Sequence, residues 1–225
     1  MKYDNITKGI FISRPNRFIA LVDIDGKTET VHVKNTGRCK ELLIQGAEVF
    51  LEKSSNPGRK TQFDLVAVQK GDLLINMDSQ APNKIFAEWA KTHIEGLTLL
   101  KSEVTHGDSR YDFYLEAGPK RIFVEVKGVT LEKNGVVMFP DAPTERGLKH
   151  LRGLEKCVAE GFCALLVFIV QMERANYFCA NAETHLAFAE ELRCAKQAGV
   201  CVSALNCRVL PDEIVALGEI ETQIE

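Results

Sequence analysis

Two carboxylates and a lysine stand close together in the middle of the chain. Glu125 follows Asp112 after twelve intervening residues, and Lys127 comes two positions later. Two carboxylates held side by side bind a hard divalent cation such as Mg²⁺ or Mn²⁺ through oxygen ligands. Such an ion polarises a phosphodiester and acidifies a bound water, and a neighbouring lysine stabilises the charge that develops on the phosphate. The three residues therefore indicate metal-dependent chemistry on a phosphodiester, provided that the fold brings them together.

The residue pattern predicts a β-hairpin that would do so. Segment 121–127 alternates between apolar residues and a second face that carries Glu125 and Lys127, as expected of a strand. Asp112 begins the preceding alternating segment, on the face opposite to its apolar residues. A turn near Gly118-Pro119 would then place the two carboxylates side by side at one end. The alternative is an ordinary half-exposed hairpin with a Glu–Lys pair, because this short pattern is common by chance.

The elements around the hairpin predict a mixed sheet flanked by helices. Helices are expected at 84–94, 144–160 and 184–198, and further strands at 98–104, 163–170 and 200–209. The middle helix carries an apolar stripe at helical spacing, and the strand after it is apolar throughout, as expected of a strand covered on both faces. This order of elements is typical of an α/β domain.

The first 80 residues predict a small β-barrel. Five or six short segments between residues 9 and 75 are separated by turn residues such as Asp25-Gly26, which is a hairpin signal. One short helix is expected at 39–44. The OB-fold is the natural candidate, although an SH3-like barrel has a similar strand count. We therefore predict a two-domain α+β protein, with an OB-fold barrel over 1–81 and an α/β domain with a central mixed sheet over 82–225.

Composition excludes several classes of protein. The 225 residues are 45% hydrophobic and 26% charged with a net charge of −3, which excludes a disordered chain and a strongly basic surface. The longest apolar run, 162–170, is too short to cross a bilayer, and no signal peptide begins the chain. The seven cysteines form no CxxC pair, so we expect mostly small buried residues of a reduced, cytoplasmic protein without a membrane partner. No GxGxxG or P-loop supports a nucleotide binder.

Longer segments of the sequence resemble one known family. The segments that carry the resemblance are VHVKNTGRCKELL (31–43), GRKTQFDLV (58–66), GDSRYDF (107–113), FVEVKGVTL (123–131) and FPDAPTERGLKHL (139–151). They are similar to the sugar fermentation stimulation protein A (SfsA) family over about residues 10–210, and the last segment is highly specific. Lys34 stands where the family usually has a proline, and this departure does not involve the acidic residues.

The resemblance implies an OB-fold followed by a domain like the PD-(D/E)XK nucleases, with DNA binding as the associated activity and a link to the regulation of sugar, notably maltose, metabolism. Asp112, Glu125 and Lys127 match the nuclease pattern as catalytic residues, with the two acids as ligands of Mg²⁺ or Mn²⁺. Such nucleases often place a further acid on the first helix, so Glu88 is a fourth catalytic candidate and Glu103 ranks after it. The alternative for Glu88 is a solvated helix surface.

Eight residues are candidates for DNA contact. Between residues 34 and 60, six cations accompany three acids, and Asn35-Thr36-Gly37 could present a turn of backbone N–H groups. At the start of the helix at 144, Arg146 and Lys149, with His150 beside them, could face the metal site or a phosphate, because a helix N-terminus attracts anions. In both places the alternative is a solvated surface. The candidates are Asn35, Arg38, Lys40, Arg59, Lys60, Arg110, Arg146 and Lys149.

Base stacking on the barrel is not expected to be strong. Of the few aromatic residues there, Phe18, Phe50 and Phe63, at least two are expected in the core, so phosphate contact is the favoured mode. Two functions stay open: a metal-dependent nuclease, and a DNA-binding regulator that uses a nuclease-like domain without turnover. The oligomeric state stays open between a monomer and a homodimer, because nucleases that cut both strands often pair.

Overall fold

The first part of the chain is a closed β-barrel. The computed structural model describes residues 1–35 and 37–224. The barrel strands are β1 (Ile6–Asn16), β2 (Ile19–Ile24), β3 (Lys27–Val33), β4 (Glu48–Lys53) and β5 (Phe63–Lys70), followed by β6 (Leu73–Asn76). They lie in the order β3-β2-β1-β4-β5-β6, and a parallel pairing of β3 with β5 closes the first five strands. Closure pairs both edges of the five-stranded sheet, and the OB-type barrel is confirmed.

The short helix expected at 39–44 is wrong. This segment forms a turn, because Cys39 adopts a left-handed φ of 44° and both Leu42 and Leu43 donate their backbone N–H groups to the Cys39 carbonyl. The two leucines are buried in the barrel core. The two leucines therefore pack into the barrel core from a single turn.

The second part is a nine-stranded mixed sheet with three helices. Its helices are α1 (Ala81–His93), α2 (Glu145–Ala159) and α3 (Ala182–Gln197). Its strands are β7 (Leu97–His106), β8 (Ser109–Ala117), β9 (Lys120–Val129), β10 (Leu131–Lys133), β11 (Val136–Phe139), β12 (Cys163–Val170), β13 (Tyr177–Ala180), β14 (Cys201–Leu210) and β15 (Glu213–Gln223). They lie in the order β10-β11-β13-β15-β14-β12-β9-β8-β7. The predicted central mixed sheet is confirmed, because β9, β12 and β14 are parallel whereas β7, β8 and β9 are antiparallel.

Four strands of this sheet were not expected. β10, β11 and β13 are three or four residues long, and β11 pairs with β13 from a distant part of the chain. Strands this short are stabilised by their partners, so the local sequence carries little signal for them. β15 is longer, and exposed and half-buried residues alternate over its second half, which is a local strand signal.

Apolar residues cover both faces of the sheet. Ile85 and Phe86 of α1 pack against Phe113 and Val124 on one face, whereas α2 and α3 cover the other face, where their core is continuous with that of the barrel. The expectation that β12 is apolar because both its faces are covered agrees with its burial, since its last five residues are all buried.

A buried polar network joins the barrel to the sheet. The Gln171 side-chain amide donates to Asn76 Oδ1 at 2.8 Å and to the Asp78 carbonyl at 3.1 Å. Asn76 in turn donates to the Tyr3 hydroxyl at 2.9 Å, and Lys34 Nζ lies 3.0 Å from the carboxylate of Asp78, which is fully buried. Because buried polar groups are costly when unpaired, this network fixes the link that enters α1. The division of the chain between residues 81 and 82 stays a prediction.

The cysteines are less buried than expected. All seven lie in the described ranges and are free thiols. Cys39, Cys157 and Cys207 are buried, but Cys163, Cys194 and Cys201 are exposed. Cys163 and Cys201 begin strands and Cys194 lies on the outer face of α3, so the expectation that most cysteines are buried is wrong. In the described ranges, no helix is long and apolar enough to cross a membrane.

Candidate functional site

The β8–β9 hairpin has the predicted antiparallel form. Its register runs from Phe113 opposite Val124 to the end of the hairpin, where Gly118 takes a left-handed φ of 55° that suits glycine. Beyond Phe113 the ladder stops, and Asp112 Oδ2 accepts the backbone N–H of Val126 at 2.8 Å. The Asp112 side chain therefore takes the place of a strand partner and is held beside β9.

Asp112 is a half-buried carboxylate without a cationic partner. Its Oδ1 accepts a hydrogen bond from Asn83 Nδ2 of α1 at 3.0 Å, but no salt bridge of the described residues involves it. Burial raises the pKa of Asp112, and the nearby charge of Glu125 raises it further, against the hydrogen bonds from Val126 and Asn83 and the charge of Lys127. The environment therefore opposes the ionised form.

Glu125 has the opposite environment. It is only 2% exposed, and its Oε1 contacts both Lys127 Nζ and His150 Nδ1. Burial alone would raise the pKa of Glu125, but the hydrogen bond from His150 and the charge of Lys127 outweigh it and lower that pKa. Glu125 is therefore an ionised carboxylate at neutral pH, and the two acids of the hairpin have pKa values that are shifted apart.

α2 supplies His150 to the acidic cluster, which consists of Asp112, Glu125, Lys127 and His150. The helix begins after Thr144, whose hydroxyl accepts the backbone N–H of Gly147 at 3.0 Å, as expected of an N-cap. His150 Nε2 accepts from Arg146 Nε at 3.3 Å, which places the ring proton on Nδ1, where it is donated to Glu125. Nδ1 also lies 3.1 Å from Lys127 Nζ. Of the two cations proposed on this helix, Arg146 therefore lies beside the cluster.

The donor set fits a hard divalent cation. Asp112 and Glu125 supply two carboxylates, and within the described residues no group of three or more His, Cys, Asp or Glu side chains forms a complete ligand set. Mg²⁺ usually keeps several waters and binds through one or two carboxylates together with phosphate oxygens. A cation held by both acids would also offset the repulsion that raises the pKa of Asp112. These residues thus fit Mg²⁺ or Mn²⁺.

Two predicted site residues lie away from the cluster. Glu88 is 57% exposed on its side chain and binds the N-terminal ammonium of Met1 at 2.7 Å. Five residues of α-helix rotate the side chain by about 140°, so α1 directs Asn83, and not Glu88, towards Asp112. Arg110 pairs with Glu103 at 2.6 Å across the exposed β7–β8 hairpin. Glu88 and Arg110 therefore lie outside the contacts of the acidic cluster, and their proposed roles in catalysis and DNA contact stay predictions.

The barrel candidates differ in their freedom to bind phosphate. Arg59 forms two hydrogen bonds to Asp64, at 2.9 and 2.7 Å, and Asp64 also contacts His32 Nδ1 at 2.9 Å. Burial would raise the pKa of Asp64, but the hydrogen bonds with Arg59 and His32 lower it. Arg59 is thus committed to an ion pair, whereas Arg38, Lys40 and Lys60 are exposed.

The remaining candidates lie on separate surfaces. Asn35 Oδ1 accepts the backbone N–H of Gly37 at 2.8 Å, and Thr36, proposed with them as a backbone turn, lies outside the described residues. Lys149 lines a groove of α2 together with Asp108 and Lys156. It therefore faces the β7–β8 turn, away from His150.

A cleft between the barrel and the sheet opens next to the cluster. This cavity of about 260 Å³ is lined by Asn35, Gly37 and Ser79 on one side, and by Pro82, Gly128 and Gln171 on the other. Gly128 directly follows Lys127, and Pro82 directly precedes Asn83. A Cβ atom on Gly128 would lie 2.9 Å from the Pro82 ring, so this position has no room for a side chain.

Sequence reasoning missed Asn83 and Gln171. Asn83 sits two residues into α1, and helical periodicity shows which residues share a face but not which face meets Asp112. Gln171 follows an apolar strand, and its partners Asn76 and Asp78 are more than ninety positions away. No local signal points to such contacts.

Comparisons with known proteins agree over nearly the whole chain. Residues 12–77 match the family model described as the SfsA N-terminal OB domain, and residues 80–213 match the sugar fermentation stimulation protein RE domain. The chain is 58% identical over 217 residues to the sugar fermentation stimulation protein homolog of Desulfitobacterium hafniense (strain DSM 10664 / DCB-2), covering 96% of this chain and 95% of the relative. It is 56% identical over 216 residues to the homolog of Clostridium beijerinckii, with 95% and 96% covered.

One solved structure matches the fold closely. It is described as the structure of Pyrococcus furiosus SfsA in complex with Ca²⁺, and it matches with a TM-score of 0.91 at 30% sequence identity. The match covers 100% of this chain and 98% of that one. Both halves of the fold, and their arrangement in one chain, are therefore shared with that protein.

Proposed function

The chain belongs to the sugar fermentation stimulation protein (SfsA) family, with an OB domain and a restriction endonuclease-like domain, and from this premise we propose a DNA-binding protein with a divalent-cation site. The observation that carries the proposal is the pair of acids on the hairpin. Glu125 is paired with Lys127 and His150, whereas Asp112 forms no salt bridge among the described residues. The relative whose structure is described as a Ca²⁺ complex supports this assignment, since Ca²⁺ and Mg²⁺ share a preference for carboxylate oxygens.

The residues of the cluster have separate tasks in this proposal. A bound Mg²⁺ or Mn²⁺ would supply Lewis acidity towards a phosphodiester and a water. Asp112 is oriented for the ion by the Val126 N–H and by Asn83. His150 orients Glu125, and Lys127 brings a positive charge to the position where negative charge develops on the phosphate. The arrangement therefore favours hydrolysis of a phosphodiester bond.

DNA would be bound by local positive charge. The net charge of the chain is −3, so attraction depends on exposed cations near the cleft, chiefly Arg38 and Lys40 on the barrel and Arg146 on α2. Contacts of this kind release counterions and make the affinity salt-dependent. The free thiols support our proposal of a reducing, cytoplasmic location. The relatives' names support a setting in sugar utilisation.

A second candidate is a DNA-binding regulator without turnover. The observation that favours it is the engagement of Lys127, whose ammonium group already pairs with Glu125 and lies 3.1 Å from His150 Nδ1. In that case the cluster is a structural ion-pair network, and DNA affinity is indifferent to EDTA. The two candidates therefore differ in their response to metal.

A cleavage assay separates them. Purified protein is incubated with supercoiled plasmid and with labelled single-stranded DNA in Mg²⁺, Mn²⁺ or EDTA. Asp112→Asn and Lys127→Ala are tested beside Glu88→Gln, a matched acid substitution outside the cluster. We expect metal-dependent cleavage that is lost in the first two variants and kept in the third. Cleavage that survives Asp112→Asn contradicts the site, and DNA binding without any cleavage supports the regulator.

A further inference from the structure

Phe18 is an exposed aromatic residue in a rigid part of the barrel. Its side chain is 44% exposed, whereas Phe11 and Phe50 are buried. Asn16 Oδ1 accepts the backbone N–H groups of Phe18 at 2.9 Å and Ile19 at 3.1 Å. The Phe18 carbonyl also accepts from the backbone of β3 at 2.8 Å. The ring is therefore presented from a backbone held on both sides, which lowers the entropy lost on binding.

An arginine lies against this ring, and a cationic groove adjoins it. The guanidinium carbon of Arg17 lies 4.8 Å from the ring centre, as in a cation–π pair. A neighbouring groove, which Arg17 also lines, contains four cations, and its described lining includes no carboxylate. The lining residues are Arg14, Asn16, Arg17, Gly37, Arg38, Lys40 and Leu43. Arg14 donates to four backbone carbonyls at 2.6 to 2.9 Å, three of them in the loop before Lys40. The groove thus has a fixed shape and a charge that attracts phosphate.

Two grooves that share Ser79 connect Phe18 with residues next to the acidic cluster. A second groove, between Phe18 and Arg59, is lined by Ser79 and Gln80 at its far side. Ser79 also lines the interdomain cleft, which extends to Pro82 and Gly128, the neighbours of Asn83 and Lys127. A strand that contacts Phe18 can therefore follow these grooves as far as Pro82 and Gly128.

We propose that Phe18 and Arg17 form a stacking platform for an unpaired base, so that the DNA bound along these grooves is single-stranded. This inference rests on the proposed function and deepens it by naming the substrate class. An aromatic ring or a guanidinium plane stacks only on a base that is unstacked from its neighbours, whereas the bases of a duplex present only their edges. The adjoining cations complement the phosphates of the same strand.

The test separates base stacking from phosphate contact. Binding is measured by fluorescence anisotropy in EDTA with three labelled probes of equal length: an oligothymidylate, an abasic strand with the same phosphates, and a duplex. Phe18→Ala is compared with Phe18→Tyr, which keeps an aromatic ring, and with Leu217→Ala, a matched control in β15 that is 56% exposed. Thermal melting of each variant verifies the fold.

We expect Phe18→Ala to bind oligothymidylate about 5- to 150-fold more weakly, as the loss of one base stack implies, with unchanged affinity for the abasic strand. Phe18→Tyr and Leu217→Ala should bind like the wild type. The platform is overturned if Phe18→Ala binds oligothymidylate as tightly as the wild type does. It is also overturned if Phe18→Ala loses as much affinity for the abasic strand as for oligothymidylate. In both cases the proposal of DNA binding itself stands. A wild-type protein that binds none of the three probes, either in EDTA or with Ca²⁺ in its place, overturns the proposed function together with the platform.

Discussion

Replacement of Asp112 by asparagine should separate the stability of the metal-free protein from its response to metal. The pKa of Asp112 is raised by burial and by the charge of Glu125, so the ionised carboxylate is less favourable in the folded state than in the unfolded chain. Asparagine removes this charge and keeps an acceptor for the Val126 N–H, which is 2.8 Å away. Asn83 can turn its amide to accept instead of donate. The metal-free variant should therefore melt at or above the temperature of the wild type.

The metal response has a defined size. An ion that binds only the folded state at a hundred times its Kd stabilises it by about 2.7 kcal/mol. For a chain of this length, each kcal/mol raises the melting temperature by about 2–4 °C. We therefore expect wild-type protein to gain about 5–10 °C in saturating Mg²⁺, Mn²⁺ or Ca²⁺. Asp112→Asn should gain almost nothing, because it retains only one carboxylate of the pair.

Differential scanning calorimetry with and without metal measures both effects. Glu88→Gln is the matched control, because its carboxylate contacts Met1 and not the cluster, so it should keep the full metal response. An undiminished rise in Asp112→Asn would refute the metal assignment. A metal-free variant that melts several degrees below the wild type would refute the argument that this charge opposes folding.

Three further predictions follow from contacts of the described residues. Asp64→Asn should cost about 1.5–3 kcal/mol at neutral pH by breaking the pair with Arg59. The pKa of Asp64 is lowered in the folded state, so the stability difference between wild type and variant should be fully present above about pH 4. It should shrink as the pH falls through the pKa of Asp64 in the folded protein. Urea unfolding at several pH values measures the difference, and a difference that does not change with pH contradicts the ion pair as its cause. Gly128→Ala should destabilise the protein by about 1–3 kcal/mol, because its Cβ would lie 2.9 Å from the Pro82 ring; an unchanged urea midpoint counts against a tight contact. Arg38→Gln and Lys40→Gln should each reduce the slope of log affinity against log salt concentration, for single-stranded DNA, by about 0.7. Anisotropy at several salt concentrations measures this slope. An unchanged slope would show that the substituted residue does not contact a phosphate.

Much of the site was predictable because its signals are local. Period-two alternation placed Glu125 and Lys127 on one strand face, and the turn at Gly118 joined them to the strand of Asp112. The apolar run of β12 and the Thr144 cap of α2 were equally visible. Each of these features depends on neighbours within one element, where strand or helix geometry relates sequence spacing directly to position in space.

The errors arose where the answer depended on which surfaces meet. Glu88 and Asn83 lie on the same helix, and only the packing of α1 against the sheet decides that Asn83 reaches Asp112. Segment 39–44 is a turn because Leu42 and Leu43 are buried in the barrel core and Cys39 adopts a left-handed φ, and both features depend on the surrounding barrel. The strand β11 is stabilised by its pairing with β13, and the sequence of β11 contains no signal that identifies β13 as its partner.

The sequence by itself determined the two-part architecture, the acidic hairpin and the family. Only the tertiary structure decided that His150 pairs with Glu125 across twenty-five positions, that Arg59 is committed to Asp64, and that Phe18 is exposed with the Arg17 guanidinium over its ring. The physical reason is the sequence separation between the groups that interact. Alternation, caps and turns are set by bonds between neighbouring residues, whereas charge pairing and exposure depend on groups that only the packing of distant elements brings within a few ångströms.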